Sequence, residues 1–135
     1  MRVFVDTNIF LDLLMEREGA DGARRLLNAC ADGSLEGVVA DIMLLNIDYV
    51  ARQHRADLRA FLALVTERFI VVGADNLLIS EALAMPNPDL EDNVQLLCAL
   101  RSDSAFLITN DRRFPRHDAI VQMGCDAFVD DYLQG

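Results

Sequence analysis

Residues Met1-Arg-Val-Phe-Val-Asp-Thr-Asn8 open the chain with an apolar run that leads directly into an acid. The run Val3-Phe-Val5 is β-branched and aromatic, a pattern that predicts a strand covered on both faces in a parallel sheet. Asp6 would then lie at the carboxyl end of that strand, the edge where open α/β sheets bind ligands. Asp6 is therefore the first candidate site residue. The alternative is that Asp6 or Asn8 only caps a helix over Ile9–Met15.

The composition is that of a globular domain with a substantial core. The chain has 135 residues, 53% of them hydrophobic, and a mean hydropathy of +0.21, so we expect one domain over residues 1–135. It has no run of about 18 apolar residues and no charged-then-apolar leader, so we expect a cytoplasmic protein with no membrane segment. The cysteines are odd in number and widely spaced, which favours buried thiols over a disulfide or a zinc site.

The charge balance argues against a surface that coats nucleic acid. The net charge is −10, whereas such surfaces attract phosphates through a broad basic field. All twelve basic residues are arginine, and one cluster contains Arg112, Arg113 and Arg116. The planar fork of arginine suits bidentate phosphate contacts, although a compositional bias of the genome would also give a chain without lysine.

Apolar runs that suit strands alternate along the chain with segments of helical periodicity. After the first strand, strands are predicted at Gly37–Ala40, Phe69–Val72 and Ala105–Thr109, with weaker strand signals near Ile120-Val121 and Ala127–Val129. Helices are predicted over Ile9–Met15, residues 19–31, Asp41–Arg52, Ala56–Glu67, Asn76–Met85 and Asp89–Arg101, with Asp41, Asp75 and Asp89 as caps and Gly33 ending the second. The alternation predicts a three-layer α/β/α sandwich around a mostly parallel sheet.

Four acids fall where this fold would bring them together. Asp6 follows the first strand, Asp111 follows the fourth, and Asp92 lies in the first turn of the helix before that strand, three residues after Asp89. Carboxylates packed together repel one another unless some are protonated or a cation lies between them. Mg²⁺ and Mn²⁺ prefer oxygen ligands, so the pattern predicts a divalent metal site and metal-assisted hydrolysis of a phosphodiester. The two histidines stand alone, and we expect both to be exposed and to have no ligand role.

The arginine cluster directly follows Asp111 in the sequence. Arg112, Arg113 and Arg116 could therefore form a basic rim beside the metal site and contact a nucleic-acid backbone. The alternative is a solvated loop with no binding role.

The same stretches give the chain a resemblance to PIN domains. The resemblance rests on Val3-Phe-Val-Asp6-Thr-Asn8-Ile-Phe-Leu-Asp-Leu-Leu14, Asp89-Leu-Glu-Asp92 and Leu107-Ile-Thr109-Asn-Asp111. In its small size the chain is similar to toxin ribonucleases of the VapC kind, and the resemblance spans almost the whole chain. It implies an endoribonuclease that depends on Mg²⁺ or Mn²⁺, cleaves single-stranded RNA, forms a homodimer and is neutralised by a cognate antitoxin protein.

The resemblance also implies roles for individual residues. The acids that hold the metal are matched by Asp6, Asp92 and Asp111. Asp89 matches an outer acid that orients water or a second ion. The supporting polar positions are matched by Thr7, Asn8 and Thr109.

One candidate site residue departs from the resemblance. PIN nucleases commonly carry an acid, usually Glu, in the middle of the helix that here spans Asp41–Arg52, and the matching residue is Asn46. Asparagine can hold a water on the metal through its carbonyl but brings no charge, so weaker metal affinity is expected. Asp48 lies about 200° around the helix and is a poor substitute. Two alternatives stay open: Asn46 is bonded within the core, or the protein is a nuclease-inactive PIN module that acts through protein contacts.

Overall fold

The computed structural model describes residues 1–133, and residues 134 and 135 of the expected domain lie outside the described part. The strands are β1 (Arg2–Val5), β2 (Glu36–Ala40), β3 (Ile70–Val72), β4 (Phe106–Ile108) and β5 (Val121–Met123). They form one sheet in the order β3-β2-β1-β4-β5, and every neighbouring pair is parallel. The predicted parallel sheet is therefore confirmed, with β1 at its centre.

Helices connect the first four strands and cover the sheet, and the last helix follows β5. They are α1 (Thr7–Leu14), α2 (Ala20–Ala31), α3 (Asp41–Ala51), α4 (Leu58–Arg68), α5 (Asn76–Ala84), α6 (Leu90–Arg101) and α7 (Cys125–Tyr132). The chain moves outward from β1 to β3 and then crosses back to β4. Because such crossovers are right-handed, α5 and α6 lie on the face opposite to the helices that precede β3. Helix α7 packs against α2, and the sheet lies between two helical layers, as predicted.

The core is centred on β1 and its neighbour β4. Val3, Phe4 and Val5 are completely buried, and Leu107 and Ile108 of β4 are equally inaccessible. The apolar run at the start of the sequence therefore forms a strand covered on both faces, as its composition predicts. The edge strands are less covered, since Val71 of β3 and Val121 of β5 remain exposed.

Two predictions about local structure need correction. The strand signal at Ala127–Val129 is wrong, because these residues lie in α7, whose buried side chains Cys125, Phe128 and Val129 have the i, i+3, i+4 spacing of a helix face. Asp41 does not occupy the N-cap position of α3. The helix begins at Asp41 itself and Ala40 precedes it.

The predicted caps at Asp75 and Asp89 and the end of α2 at Gly33 are confirmed, whereas α1 begins at Thr7 and α4 at Leu58, each two residues from the predicted start. The side chains of Asp75 and Asp89 accept hydrogen bonds from the backbone N–H groups of Leu78 and Asp92, which is the usual geometry of an N-cap. Gly33 follows α2 with a φ of 90°, a left-handed conformation that glycine adopts without strain.

The side chains that would suit a soft metal lie apart from the acids. Burial raises the pKa of the Cys30 and Cys125 thiols to about 12 and that of Cys98 to about 11, so all three are inert core side chains. His54 and His117 are exposed, as expected.

None of the helices within residues 1–133 has the length and apolar character needed to cross a membrane.

Candidate metal centre

Asp6 lies at the carboxyl end of the central strand and is almost completely buried, with 1% of its surface exposed. Its backbone N–H donates to the carbonyl oxygen of Ile108 at 3.0 Å, which continues the β1–β4 pairing by one residue. The Thr109 hydroxyl donates to Asp6 Oδ2 at 2.8 Å. The other carboxylate oxygen, Oδ1, is also buried and has no hydrogen-bond partner within residues 1–133. One oxygen of Asp6 is thus fixed by the protein and the other is left unsatisfied.

The topology explains why the site forms at Asp6. Strand β1 leads to β2 on one side, and the chain later returns to place β4 on the other side. This change of direction opens a crevice between the carboxyl ends of β1 and β4, where open α/β sheets bind their ligands. Asp6 and Thr109 are the residues that directly follow these two strands.

The burial of Asp6 disfavours its charged form. Desolvation raises its pKa from 3.8 to about 6, and the nearby charge of Glu91 adds to the rise. The Thr109 hydroxyl opposes the shift, and so do the Asn8 backbone N–H and the Gln95 side chain, which lie close without meeting hydrogen-bond geometry. A cation bound nearby would therefore stabilise the charged form of the Asp6 carboxylate.

Asp111 is linked to Asp6 through a single hydroxyl group. Thr109 Oγ1 donates to Asp6 and accepts from the Asp111 backbone N–H at 3.1 Å. Asp111 Oδ1 in turn accepts from the Arg113 backbone N–H at 2.9 Å. The end of β4 thus places the second sequence-predicted acid beside the first.

Asp92 reaches the cluster from the first turn of α6. The loop before this helix is fixed by Asn93, whose amide donates to the carbonyl oxygens of Ala82 at 3.1 Å and Asn87 at 2.8 Å. Asp89 caps the helix through the Asp92 backbone N–H at 3.1 Å, and Asp89 itself is exposed. The capping bond ties the start of α6 to the loop and so fixes where Asp92 lies.

The pKa of Asp92 shows how closely the acids approach one another. Desolvation raises it from 3.8 to about 7, and the charges of Asp89, Asp6, Asp111 and Glu91 contribute to the rise in that order. Asp92 is therefore within electrostatic reach of the other three acids predicted from the sequence.

The structure adds one acid that the sequence analysis did not single out. Glu91 Oε1 accepts from Asn46 Nδ2 at 2.7 Å, and its Oε2 accepts from the Thr7 hydroxyl at 2.9 Å and from Gln95 Nε2 at 3.2 Å. Thr7 and Asn46 thus contact Glu91 rather than Asp6 or Asp92. The available signal was Gln95, the one polar residue in the apolar run Val94–Leu100, which lies one helical turn after Glu91 and is completely buried in the structure.

The remaining predicted residues lie at the edge of the crevice. Asn8 is exposed at the start of α1. Arg112 and Arg116 are exposed and line an open pocket of about 220 Å³ that also includes Asp111 and Thr109. The Arg113 side chain is exposed as well. Two arginines therefore share a pocket with an acid of the cluster.

The residues present fit a hard divalent cation. Within residues 1–133, no group of three or more Asp, Glu, His or Cys side chains is arranged so that it could hold a metal ion by itself. Mg²⁺ does not require this, because it is usually bound through one or two carboxylates and keeps several waters. The buried, unpartnered oxygen of Asp6 and the raised pKa of Asp92 are the features that a cation would relieve.

The chain has a parallel α/β fold in which acids line the crevice between β1 and β4. These features define a class of small α/β proteins whose candidate site is formed by carboxylates at the carboxyl ends of the strands. The chain belongs to the PIN domain family, whose sequence model matches residues 2–113.

Two solved structures share the fold. One is the crystal structure of VapBC2 from Rickettsia felis bound to a DNA fragment from its promoter, with 16% identity, coverage of 90% of this chain and 97% of that chain, and a TM-score of 0.63. The other is a toxin–antitoxin complex from Klebsiella pneumoniae, with 22% identity, coverage of 88% and 95%, and a TM-score of 0.65. No match was found among curated proteins.

Proposed function

We propose that this protein is a metal-dependent endoribonuclease that cleaves single-stranded RNA, and that it is the toxin of a type II toxin–antitoxin pair. The observation that carries the proposal is the buried Oδ1 of Asp6, which has no partner in residues 1–133 and belongs to a cluster of acids at the switch point. Family membership supports a nuclease, and both structural neighbours come from toxin–antitoxin complexes.

Asp6, Asp92 and Asp111 would hold Mg²⁺ or Mn²⁺. When bound, such an ion supplies positive charge to the phosphoryl oxygens and activates water for in-line attack on the phosphodiester. The Thr109 hydroxyl holds Asp6 through Oδ2, and Oδ1 has no hydrogen-bond partner within residues 1–133, which supports its availability for a cation. Asp89 fixes the start of α6 and, in this proposal, orients solvent at the outer side of the cluster.

Substrate would approach across the arginine rim. Arg112 and Arg116 line the same pocket as Asp111, which supports a role for their guanidinium groups in contacting the RNA backbone. A net charge of −10 leaves the rest of the surface repulsive to RNA. Binding would therefore be confined to the crevice, and Asn8 at its edge would be a further polar contact.

The negative charge of the acids in the crevice suits a protein inhibitor. We place the protein in the cytoplasm as a homodimer, and an antitoxin segment that carries arginine would pair with the acids of the crevice and cover them. Co-expression with the neighbouring reading frame tests this part of the proposal. Restored growth and co-purification are expected, and failure of both would contradict it.

Cleavage of a mixed panel of single-stranded RNAs tests the nuclease proposal. Purified protein should cleave with Mn²⁺ or Mg²⁺ and not with EDTA, and the Asp6→Asn variant should not cleave under any condition. Cleavage in EDTA, or by folded Asp6→Asn, would contradict the proposal. Silence of the wild-type protein in every condition would favour the nuclease-inactive module that acts through protein contacts.

A further inference from the structure

Glu91 is the most firmly held acid in the crevice. Its carboxylate accepts hydrogen bonds from Asn46 at 2.7 Å, Thr7 at 2.9 Å and Gln95 at 3.2 Å. These donors lie on α3, at the start of α1 and one turn further along α6. Three helices that surround the crevice therefore fix the position of a single side chain.

The hydrogen bonds leave Glu91 able to accept more. Two donors reach Oε2, whereas Oε1 receives only the Asn46 amide among residues 1–133. An ionised carboxylate has about four lone-pair positions. Oε1 therefore keeps a position for a further partner.

Glu91 lies between two of the acids that would hold the cation. It directly precedes Asp92 in the first turn of α6, and its Oε2 accepts from the hydroxyl of Thr7, the residue that follows Asp6. Both of its oxygens accept hydrogen bonds, which a glutamine side chain could not reproduce because it has one acceptor oxygen. A fixed negative charge beside the unpartnered Oδ1 of Asp6 is stabilised when a cation lies between them.

The contact also gives Asn46 a definite function. Its Nδ2 group points at Glu91 and donates the shortest hydrogen bond of the three. Asn46 brings no charge to the crevice, so it acts on a cation most directly by fixing the acid that does. This differs from the expectation that its carbonyl holds a water on the metal.

We propose that Glu91 is a fourth carboxylate of the divalent-cation centre, which shares the ion with its bound waters, and that Asn46 is a positioning residue that acts through Glu91. The inference rests on the proposed function, because it concerns the same metal centre. In this arrangement, Glu91 in the first turn of α6 supplies the negative charge that Asn46 on α3 does not bring.

Calorimetric titration of the full chain with Mn²⁺ tests this inference without reference to cleavage. Glu91→Gln should weaken Mn²⁺ binding by more than about tenfold, and Asn46→Ala should weaken it by about tenfold, as expected for a side chain that orients a ligand. In the Glu91→Gln background, Asn46→Ala should have no further effect, because its only route to the metal is gone. Glu67→Gln, which removes an exposed acid on α4, is the matched control and should bind like the wild type.

A charge-relocation variant separates a ligand from a structural tie. Asn46→Glu combined with Glu91→Gln moves the negative charge onto α3 and should regain Mn²⁺ affinity relative to Glu91→Gln alone. The rise in melting temperature on adding Mn²⁺ gives a second readout that also shows whether each variant is folded. Affinity unchanged in Glu91→Gln, with only the metal-free melting temperature altered, would mean that Glu91 is a structural tie and would overturn the inference.

The Asp6→Asn variant distinguishes this result from failure of the proposed function. If the wild type binds Mn²⁺, Asp6→Asn does not, and Glu91→Gln binds normally, the proposed function stands and the Glu91 inference is wrong. If the wild type itself does not bind Mn²⁺, the metal centre and the inference built on it are both wrong.

Discussion

Asp6 and Asp75 occupy the same place in two repeats of the fold, yet their environments are opposite. Each comes shortly after a strand and immediately before a helix, at the N-cap position. Asp75 is exposed over 67% of its side chain, caps α5 through the Leu78 N–H and pairs with Arg101 at 3.0 Å. Asp6 is buried, makes no capping bond through its side chain and leaves Oδ1 without a partner in residues 1–133.

The difference lies in the neighbours and not in the local sequence. Asp75 follows β3 at the edge of the sheet, where the Leu78 backbone N–H and then the Arg101 side chain donate to its carboxylate and lower its pKa. Asp6 follows the central strand, where burial raises its pKa to about 6. An acid that stabilises its helix serves the fold, whereas an acid left unsatisfied in a crevice is available for a ligand.

The largest difference between the two acids is expected in catalysis. Asp6→Asn should reduce RNA cleavage to the level of the protein-free control, because it removes a charged ligand and leaves the shape of the side chain. Asp75→Asn should leave the cleavage rate unchanged. Initial rates on one RNA with saturating Mn²⁺ measure both, and equal losses in the two variants would show that Asp6 has no special role.

The two acids should also have opposite effects on stability as pH changes in EDTA. Asp6 is harder to ionise in the folded than in the unfolded state, so its contribution is fully present below pH 3.8 and is lost as pH rises through about 6. The difference between these pKa values corresponds to roughly 3 kcal/mol. Asp92 should extend the loss toward pH 7. The lowered pKa of Asp75 has the opposite sign, since its contribution is lost as pH falls.

Urea unfolding of the metal-free protein at pH 4.5 to 7.5 (about the range set by these groups) measures the effect. In Asp6→Asn, the free energy of unfolding should fall less over this pH range than in the wild type. In the wild type with saturating Mn²⁺, the free energy of unfolding should instead rise with pH. A wild-type profile as flat as that of Asp6→Asn would show that the burial of Asp6 carries no energetic cost.

A smaller effect is expected from removing the cap at Asp75. Asp75→Ala removes the hydrogen bond to Leu78 and the ion pair with Arg101, so it should lower the melting temperature by a few degrees. Asp75→Asn keeps a capping side chain and should lose less. Thermal unfolding at pH 7 compares them, and a melting temperature unchanged in Asp75→Ala would indicate that the observed cap contributes nothing.

The smallest effect concerns the arginines near each acid. Arg101 is committed to Asp75, whereas within residues 1–133 no ion pair joins Arg112 or Arg116 to an acid. Single changes of Arg112 or Arg116 to Gln should weaken RNA binding several-fold and reduce the slope of log affinity against log salt by about 0.7 each. Binding to the non-cleaving Asp6→Asn background measures this. Arg68→Gln, on α4, is the control and should not change RNA binding. If Arg68→Gln weakens RNA binding as much as the Arg112 and Arg116 variants do, the arginine rim is not a specific binding surface.

The sequence predicts the strands of this fold well because their burial leaves a simple pattern. Val3, Phe4 and Val5 are apolar without interruption because the central strand is covered on both faces. The tail is harder to interpret. Ala127–Val129 resembles a short strand in isolation, and only the spacing of Cys125 from Phe128 and Val129 reveals a helix face.

The acids at strand ends are visible in the sequence, but their partners are not. Asp6, Asp92 and Asp111 follow from the order of strands and helices, since parallel strands end at one edge. Glu91 lies between more prominent acids, and its direction depends on how α6 packs beside α1 and α3. The Asn46 side chain carries an N–H group that donates and a carbonyl oxygen that accepts. The sequence does not show that the N–H group contacts a carboxylate.

The most direct test of this account is the anomalous diffraction of a crystal grown with Mn²⁺. The account predicts a peak within bonding distance of Asp6 Oδ1, surrounded by Asp92 and Asp111, and no peak at Asp75. A well-ordered crystal with no peak at Asp6, or with Mn²⁺ bound only at exposed acids such as Asp75, would contradict the claim that the unsatisfied oxygen of Asp6 is a metal ligand.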